Sequence, residues 1–148
     1  MVGITESEYK QRFKKKLWLY GSYTREIEKL QRRFFEIHDE LRWHSDFPKA
    51  AARSCRVGSP DPKHPAEQQL IIEYTSLEYL IEEVTQERSY LGLDDFMAGL
   101  DPEDRELIKQ VYVKEKSYRE IGYLLPRSKS NVGYRINQLI LKTWDTSH

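Results

Sequence analysis

Two long stretches of the chain repeat apolar residues at alternating steps of three and four. In the first, positions 20, 23, 27, 30, 34, 37 and 41 are Tyr, Ile, Leu or Phe, and position 44 is His. In the second, positions 70, 74, 77, 81, 84 and 91 are apolar or Tyr, and position 88 is Arg. This spacing places residues on one face of a helix. The pattern predicts two long amphipathic helices, the first from near Thr5 to about Ser45.

Helix breakers are concentrated between the two stripes. Residues 46–65 contain Gly58 and four of the six prolines, with few apolar residues, a composition typical of a linker or long loop. Two striped helices joined by a loop predict an antiparallel hairpin, or a coiled coil shared between chains. Gly21 lies inside the first helix and is expected to weaken it by about 1 kcal/mol.

Three short helices are predicted after residue 94, each with a recognisable start. Asp101 is a good N-cap and Pro102 suits the first helical position. Ser117 and Glu120 have the spacing of a capping box, and Ser128 can cap the last helix. Pro126 ends the middle helix. The residues expected to face inward are Leu107, Ile108, Val111, Tyr112, Ile121, Leu124, Leu125, Val132, Ile136, Leu139 and Ile140.

The net charge is zero, with 24 basic and 24 acidic residues, but the charges are distributed unevenly. Residues 10–33 hold nine Lys/Arg against two Glu, and residues 66–106 hold twelve Asp/Glu against two Arg. We expect the basic helix (10–33) and the acidic helix (66–91) to complement each other in charge. Residues 114–142 hold seven Lys/Arg against two Glu. A basic segment of this kind can bind an anion although the whole protein is neutral.

A helix, a three-residue turn and a basic capped helix form the pattern of a DNA-binding helix-turn-helix. Such a motif places the start of its last helix in the major groove, while the preceding helix crosses the backbone. Guanidinium, amide and hydroxyl groups at these positions can bond to base edges and phosphates. The outward positions at the start of the last helix are Lys129, Ser130, Asn131, Gly133, Tyr134 and Arg135. The predicted DNA-binding residues are Ser117, Tyr118, Arg119, Arg127, Ser128, Lys129, Ser130, Asn131, Tyr134 and Arg135.

These residues resemble a known motif. The runs 117–125 (SYREIGYLL) and 128–135 (SKSNVGYR) are similar to the promoter-reading C-terminal helix-turn-helix of bacterial sigma factors, called region 4. The preceding run 100–108 (LDPEDRELI) is similar to the helix before that motif. With a long N-terminal helix and a second helix ahead of it, the layout resembles the RinA/ArpU-type regulators of phages and prophages.

The resemblance implies an all-α, non-enzymatic protein with two regions. Residues 1–93 would be a helical hairpin for oligomerisation or partner binding, and residues 94–148 the DNA-binding domain. The implied function is transcriptional regulation of phage late genes, most simply activation, on double-stranded promoter or operator DNA. RNA polymerase is a candidate partner, and a homodimer is a candidate assembly. The alternatives are a small terminase-like packaging subunit, which predicts a ring, and a protein-binding inhibitor, which predicts no DNA affinity.

Other chemistries find little support in the sequence. The single Cys55 cannot form an internal disulfide, so a reducing, cytoplasmic location is expected. No stretch approaches the roughly 20 apolar residues of a membrane helix. His38 and His44 are six residues apart on a helix and do not share a face, which argues against a zinc site. Phosphate-loop and nucleophile-elbow motifs are missing as well. We expect no catalytic residue, cofactor or metal.

Overall fold

A computed structural model of the chain describes residues 3–45, 65–124 and 132–147. These residues form helices joined by turns and contain no strand, so the all-α prediction is confirmed. In chain order the elements are α1 (Glu6–Ser45), α2 (Pro65–Ser89), α3 (Asp94–Ala98), α4 (Pro102–Ile108), a π-helical turn (Lys109–Val113), α5 (Tyr118–Leu124) and α6 (Val132–Ser147).

The two long helices carry the predicted apolar stripes. Ile27, Ile37 and Leu77 are buried stripe positions, and the other apolar stripe positions on the two helices are partly buried. α2 begins at Pro65, a residue that suits the start of a helix because it has no N–H to leave unpaired. The rest of the predicted loop at 46–65 lies outside the described residues.

The chain divides into two compact units. Unit 1 comprises residues 1–25 and 86–148, and unit 2 comprises residues 26–85. This division differs from the predicted boundary between residues 93 and 94. The reason is that the first turns of α1 belong to the core formed by the C-terminal helices.

The core of unit 1 joins α1 to the short helices. Leu17 on α1 has no exposed surface and clusters with Leu107, Ile108, Ile121, Ile136 and Ile140, each at most 1% exposed. The Phe13 ring meets the Phe96 ring edge-on, with centroids 4.9 Å apart. The Tyr9 hydroxyl lies 2.6 Å from that of Thr143 on α6. Burying such side chains contributes about 1.5–3 kcal/mol each before the entropy cost of ordering them.

Gly21 allows α1 to approach the π-helical turn closely. A β-carbon at this position would lie 1.9 Å from the carbonyl oxygen of Tyr112. One turn later, Arg25 Nη1 donates to the carbonyl oxygens of Tyr112 and Val113, at 2.7 and 3.1 Å. Its Nη2 also lies 3.1 Å from Glu115 Oε1. Glycine at position 21, expected to be only a weakness of the helix, is therefore a requirement of this contact.

A residue in the left-handed backbone conformation follows the π-helical turn. Glu115 has φ of 54°, a conformation that costs a residue with a side chain about 1–2 kcal/mol. The N–H of Lys114 donates to the carbonyl of Lys109, and that of Lys116 to the carbonyl of Gln110. These bonds, with those from Arg25, satisfy carbonyls that the end of a helix leaves unpaired. The chain is thereby turned toward the start of α5.

Unit 2 consists of residues from α1 and α2. Arg33 Nε and Nη2 donate to the two carboxylate oxygens of Glu73, at 2.8 and 3.1 Å. These bonds hold the pKa of the Glu73 carboxyl below its usual value. The Phe34 and Tyr74 rings are stacked with centroids 4.4 Å apart. The predicted charge complementarity between the two helices is thus present at one ion pair in this unit.

Candidate nucleic-acid interface

The predicted helix-turn-helix falls on α5 and α6. Of its expected inward residues, Ile121, Val132, Ile136, Leu139 and Ile140 are all buried. Leu124 is 51% exposed, so the prediction that it faces inward is wrong. It is the last residue of α5. Residues 125–131, which include the predicted turn, lie outside the described residues.

The start of α5 is held by the predicted capping box, which the structure confirms. The N–H of Glu120 donates to Ser117 Oγ at 3.2 Å, and the N–H of Ser117 donates to Glu120 Oε1 at 3.4 Å. The Ser117 hydroxyl itself also donates to Glu120 Oε1. Ser117, predicted to contact DNA, thus has a local role in fixing where α5 begins.

The first turns of α5 and α6 touch through Tyr118 and Gly133. A β-carbon on Gly133 would lie 3.4 Å from Cε2 of the Tyr118 ring, so the ring rests on the backbone of α6. Half of the Tyr118 surface stays exposed. The structure therefore brings one predicted DNA-binding residue of α5 beside the beginning of the predicted recognition helix.

Arg135 on α6 is bound to Asp104 on α4. Arg135 Nε and Nη2 donate to the two Asp104 carboxylate oxygens, at 2.9 and 2.7 Å. The Asp104 residue is only 7% exposed, and these bonds raise the pKa of the Arg135 guanidinium. The Arg135 side chain is 40% exposed, as expected of an outward position, but its guanidinium is bonded to Asp104. Its guanidinium fixes α6 against α4, because a buried carboxylate requires a bonded cation.

Tyr134, Gln138 and Arg119 are exposed polar residues on these two helices. Tyr134 is 64% exposed, and Gln138 Nε2 donates to its hydroxyl at 2.6 Å. Gln138 was not among the predicted residues, although it lies one turn after Tyr134 and therefore on the same face. The remaining predicted residues, Arg127, Ser128, Lys129, Ser130 and Asn131, lie outside the described residues.

A second concave surface on unit 1 is acidic. A groove of about 470 Å³ runs between Asp95, Asp101 and Asp104 on one side and Leu139 and Lys142 of α6 on the other. Asp104 is paired with Arg135, but the carboxylates of Asp95 and Asp101 would repel a phosphate backbone. The surface around Tyr118 and Tyr134 is therefore the better candidate for binding a nucleic acid.

The described residues contain neither a metal-binding cluster nor a membrane-spanning helix. No group of three or more His, Cys, Asp or Glu side chains there is placed to hold a metal ion. No helix of residues 3–45, 65–124 or 132–147 combines the length and the apolar content needed to cross a bilayer. Comparison of the chain with protein-family models, curated proteins and solved structures gave no match.

Proposed function

We propose that this protein is a sequence-specific DNA-binding protein that regulates transcription. The observation that carries the proposal is the arrangement of α5 and α6, in which a capped helix rests on the first turn of a second helix through Tyr118 and Gly133. Helix-turn-helix proteins use such a pair to present the second helix to the major groove. The basic charge of residues 114–142 supports a polyanion as the partner.

The residues have distinct roles in this proposal. Lys129, Ser130, Asn131 and Tyr134 read base edges from the start of α6 and the segment before it. Arg127 and Ser128 in the turn, with Tyr118 and Arg119 on α5, bond to the phosphate backbone on either side. Two further residues act on the fold: Ser117 caps α5, and Arg135 holds α6 through Asp104.

The regulatory assignment rests on the resemblance to sigma region 4 and to RinA/ArpU-type regulators. In this proposal the site is a promoter or operator in bacterial DNA, the protein acts in the host cytoplasm, and it belongs to a phage or prophage. It has no catalytic step. RNA polymerase is the proposed protein partner, because sigma-like helix-turn-helix domains act at promoters.

The test begins with selection of duplexes from a random pool by the full chain. Selected duplexes are then titrated by gel shift against salt and random competitor. We expect one enriched sequence and binding that resists the competitor. A chain that enriches no sequence, even at low salt, would overturn the proposal and direct the search to partner proteins.

A matched pair of variants locates the surface. Lys129→Ala/Asn131→Ala should weaken binding to the selected duplex at least about tenfold, since one good base contact contributes about 1–3 kcal/mol. Lys29→Ala/Gln31→Ala removes one Lys and one amide side chain from exposed positions of α1 and should bind as the wild type does. Light scattering distinguishes a monomer or dimer, expected of a regulator, from a many-subunit ring, which would favour a packaging subunit instead.

A further inference from the structure

The first turns of α1 carry a dense group of positive charges. Lys10, Arg12, Lys14, Lys15 and Lys16 supply five cations in seven residues. Within the described residues, no ion pair joins any of the five to a carboxylate. By contrast, Arg25, Arg33 and Arg135 each bind a carboxylate. The run at 10–16 is therefore a concentration of charge that no ion pair within the described residues neutralises.

The ion pair of Arg33 and Glu73 between α1 and α2 lies in unit 2. The sequence predicts that the basic residues 10–33 and the acidic residues 66–91 complement each other. However, residues 66–85 of α2 belong to unit 2, whereas residues 10–16 belong to unit 1. There the start of α1 packs on α6, where the Tyr9 and Trp144 ring centroids are 4.9 Å apart. The charge of residues 10–16 is thus available for an external anion.

Packing fixes which cations face away from unit 1. Tyr9, Phe13 and Leu17 lie on the inner side of α1 at steps of four. Arg12, Lys15 and Lys16 are all exposed, and their spacing of three and four puts them together on one other face of the helix. We call these three residues the basic ridge. Like charges at such spacing destabilise a helix slightly, a cost that an anion bound across them would remove.

We infer that the basic ridge is a second DNA contact, which binds backbone phosphates beside the site read by α6. This inference rests on the proposed function. Tyr9 contacts Thr143, eleven residues along α6 from Val132, which is about 16 Å at the rise of a helix. The ridge therefore belongs to the same compact unit as the recognition helix, and the helix that carries it contacts α6 about 16 Å from the reading end. Phosphate contacts of this kind raise affinity and carry no sequence information.

The experiment compares two double variants of the full chain. Arg12→Gln/Lys15→Gln removes two cations of the ridge. Lys29→Gln/Arg32→Gln removes one Lys and one Arg from exposed positions of the same helix in unit 2. Binding to the selected duplex is measured by fluorescence anisotropy between about 50 and about 200 mM salt. Circular dichroism checks that both variants keep the helical content of the wild type.

We expect the ridge variant to change the salt dependence. Losing two phosphate contacts should reduce the slope of log affinity against log salt by about 1.8. Affinity at low salt should fall about tenfold or more, while the order of preference among selected sequences stays the same. The control variant, Lys29→Gln/Arg32→Gln, should match the wild type in affinity and in salt slope. On a duplex trimmed to the selected site, ridge variant and wild type should bind equally, because the flanking phosphates are gone.

The outcomes separate this inference from the proposed function. If the wild type selects and binds a sequence but the ridge variant keeps its salt slope, the ridge is not a DNA contact and the proposed function stands. Equal losses of affinity in the ridge variant and the control variant would also overturn the inference, since such losses would reflect the total charge of the protein alone. If the wild type binds no DNA, the proposed function fails and the inference fails with it.

Discussion

Gly21 is the residue on which the contact between α1 and the π-helical turn depends. Its missing side chain leaves room for the Tyr112 carbonyl, which would be 1.9 Å from a β-carbon. Because the obstacle is backbone, it cannot rotate away as a flexible side chain would. We expect Gly21→Ala to lower the free energy of unfolding by about 2 kcal/mol, although alanine is the better helix former by about 1 kcal/mol.

The control for this prediction is a second helical glycine. At Gly133 a β-carbon would meet only the Tyr118 ring, at 3.4 Å, which is an ordinary contact. Gly133→Ala should therefore leave stability unchanged or raise it by up to about 1 kcal/mol. Urea unfolding of both variants checks the pair. If Gly21→Ala and Gly133→Ala had the same free energy of unfolding, the result would contradict the close approach of α1 to the Tyr112 carbonyl.

Tyr112 should make stability depend on alkaline pH. Burial raises the pKa of its phenol to about 12, from about 10 in an unfolded chain. As the pH rises, the phenol therefore loses its proton at a lower pH in the unfolded state than in the folded state. The contribution of the neutral phenol is fully present below about pH 10 and is lost as the pH rises toward about 12, by up to about 1.4 kcal/mol per pH unit.

A comparison of Tyr112→Phe with the wild type isolates this effect, since phenylalanine does not titrate. Urea unfolding at about pH 9 and about pH 11 should show the wild type losing about 1 kcal/mol relative to the variant. Tyr90→Phe is the control, because Tyr90 is 78% exposed, and it should follow the wild type at both pH values. A parallel pH dependence in wild type and Tyr112→Phe would contradict the prediction.

At the scale of elements, Asp104 and Arg135 tie α4 to α6 across 31 positions of sequence. Arg135→Ala leaves a nearly buried carboxylate without its cation, and it should cost about 3 kcal/mol. Asp104→Ala should cost less, because the Arg135 side chain is 40% exposed and water can solvate it. The double variant should be more stable than Arg135→Ala alone.

A double-mutant cycle in urea measures this coupling, which we expect to be about 1–3 kcal/mol. Additive losses would mean that the two groups do not depend on each other, and would remove Arg135 as the residue that positions α6. The prediction also explains why Arg135→Ala is unsuitable as a test of DNA binding. A variant that shifts or loosens α6 would weaken binding whether or not the guanidinium touched DNA.

Patterns among neighbouring residues predicted where the helices lie, but they did not predict which distant residues contact them. Periodicity placed α1 and α2, and the capping box of Ser117 and Glu120 set the start of α5, because both depend on neighbours within four residues. The partner of Arg135 is 31 residues away, and the partner of Gly21 is 91 residues away. No spacing rule reaches that far, so the sequence revealed neither the ion pair of Arg135 nor the close backbone contact of Gly21, which was expected only to weaken its helix.

At the scale of the whole molecule, α1 contributes to two units with different cores. Its first half, through Arg25, belongs to unit 1, where α1, α3, α4, α6 and the π-helical turn all supply buried side chains. Its second half belongs to unit 2, where the described residues bury only Ile27, Ile37 and Leu77. Stability of a region follows its buried apolar contacts, so the two units should differ in stability.

Hydrogen exchange read by mass spectrometry tests this difference. Amides of residues 107–113 and 132–140 should exchange most slowly, and those of 30–43 and 66–84 at least about tenfold faster.

Two matched variants test whether the units unfold separately, because Leu17 and Ile37 both lie on α1 with no exposed surface. Leu17→Ala and Ile37→Ala each remove buried contacts that contribute about 2–5 kcal/mol. Leu17→Ala should accelerate exchange in unit 1, and Ile37→Ala should accelerate it in unit 2. Equal acceleration of both units by either variant would show instead that the chain unfolds as one cooperative body.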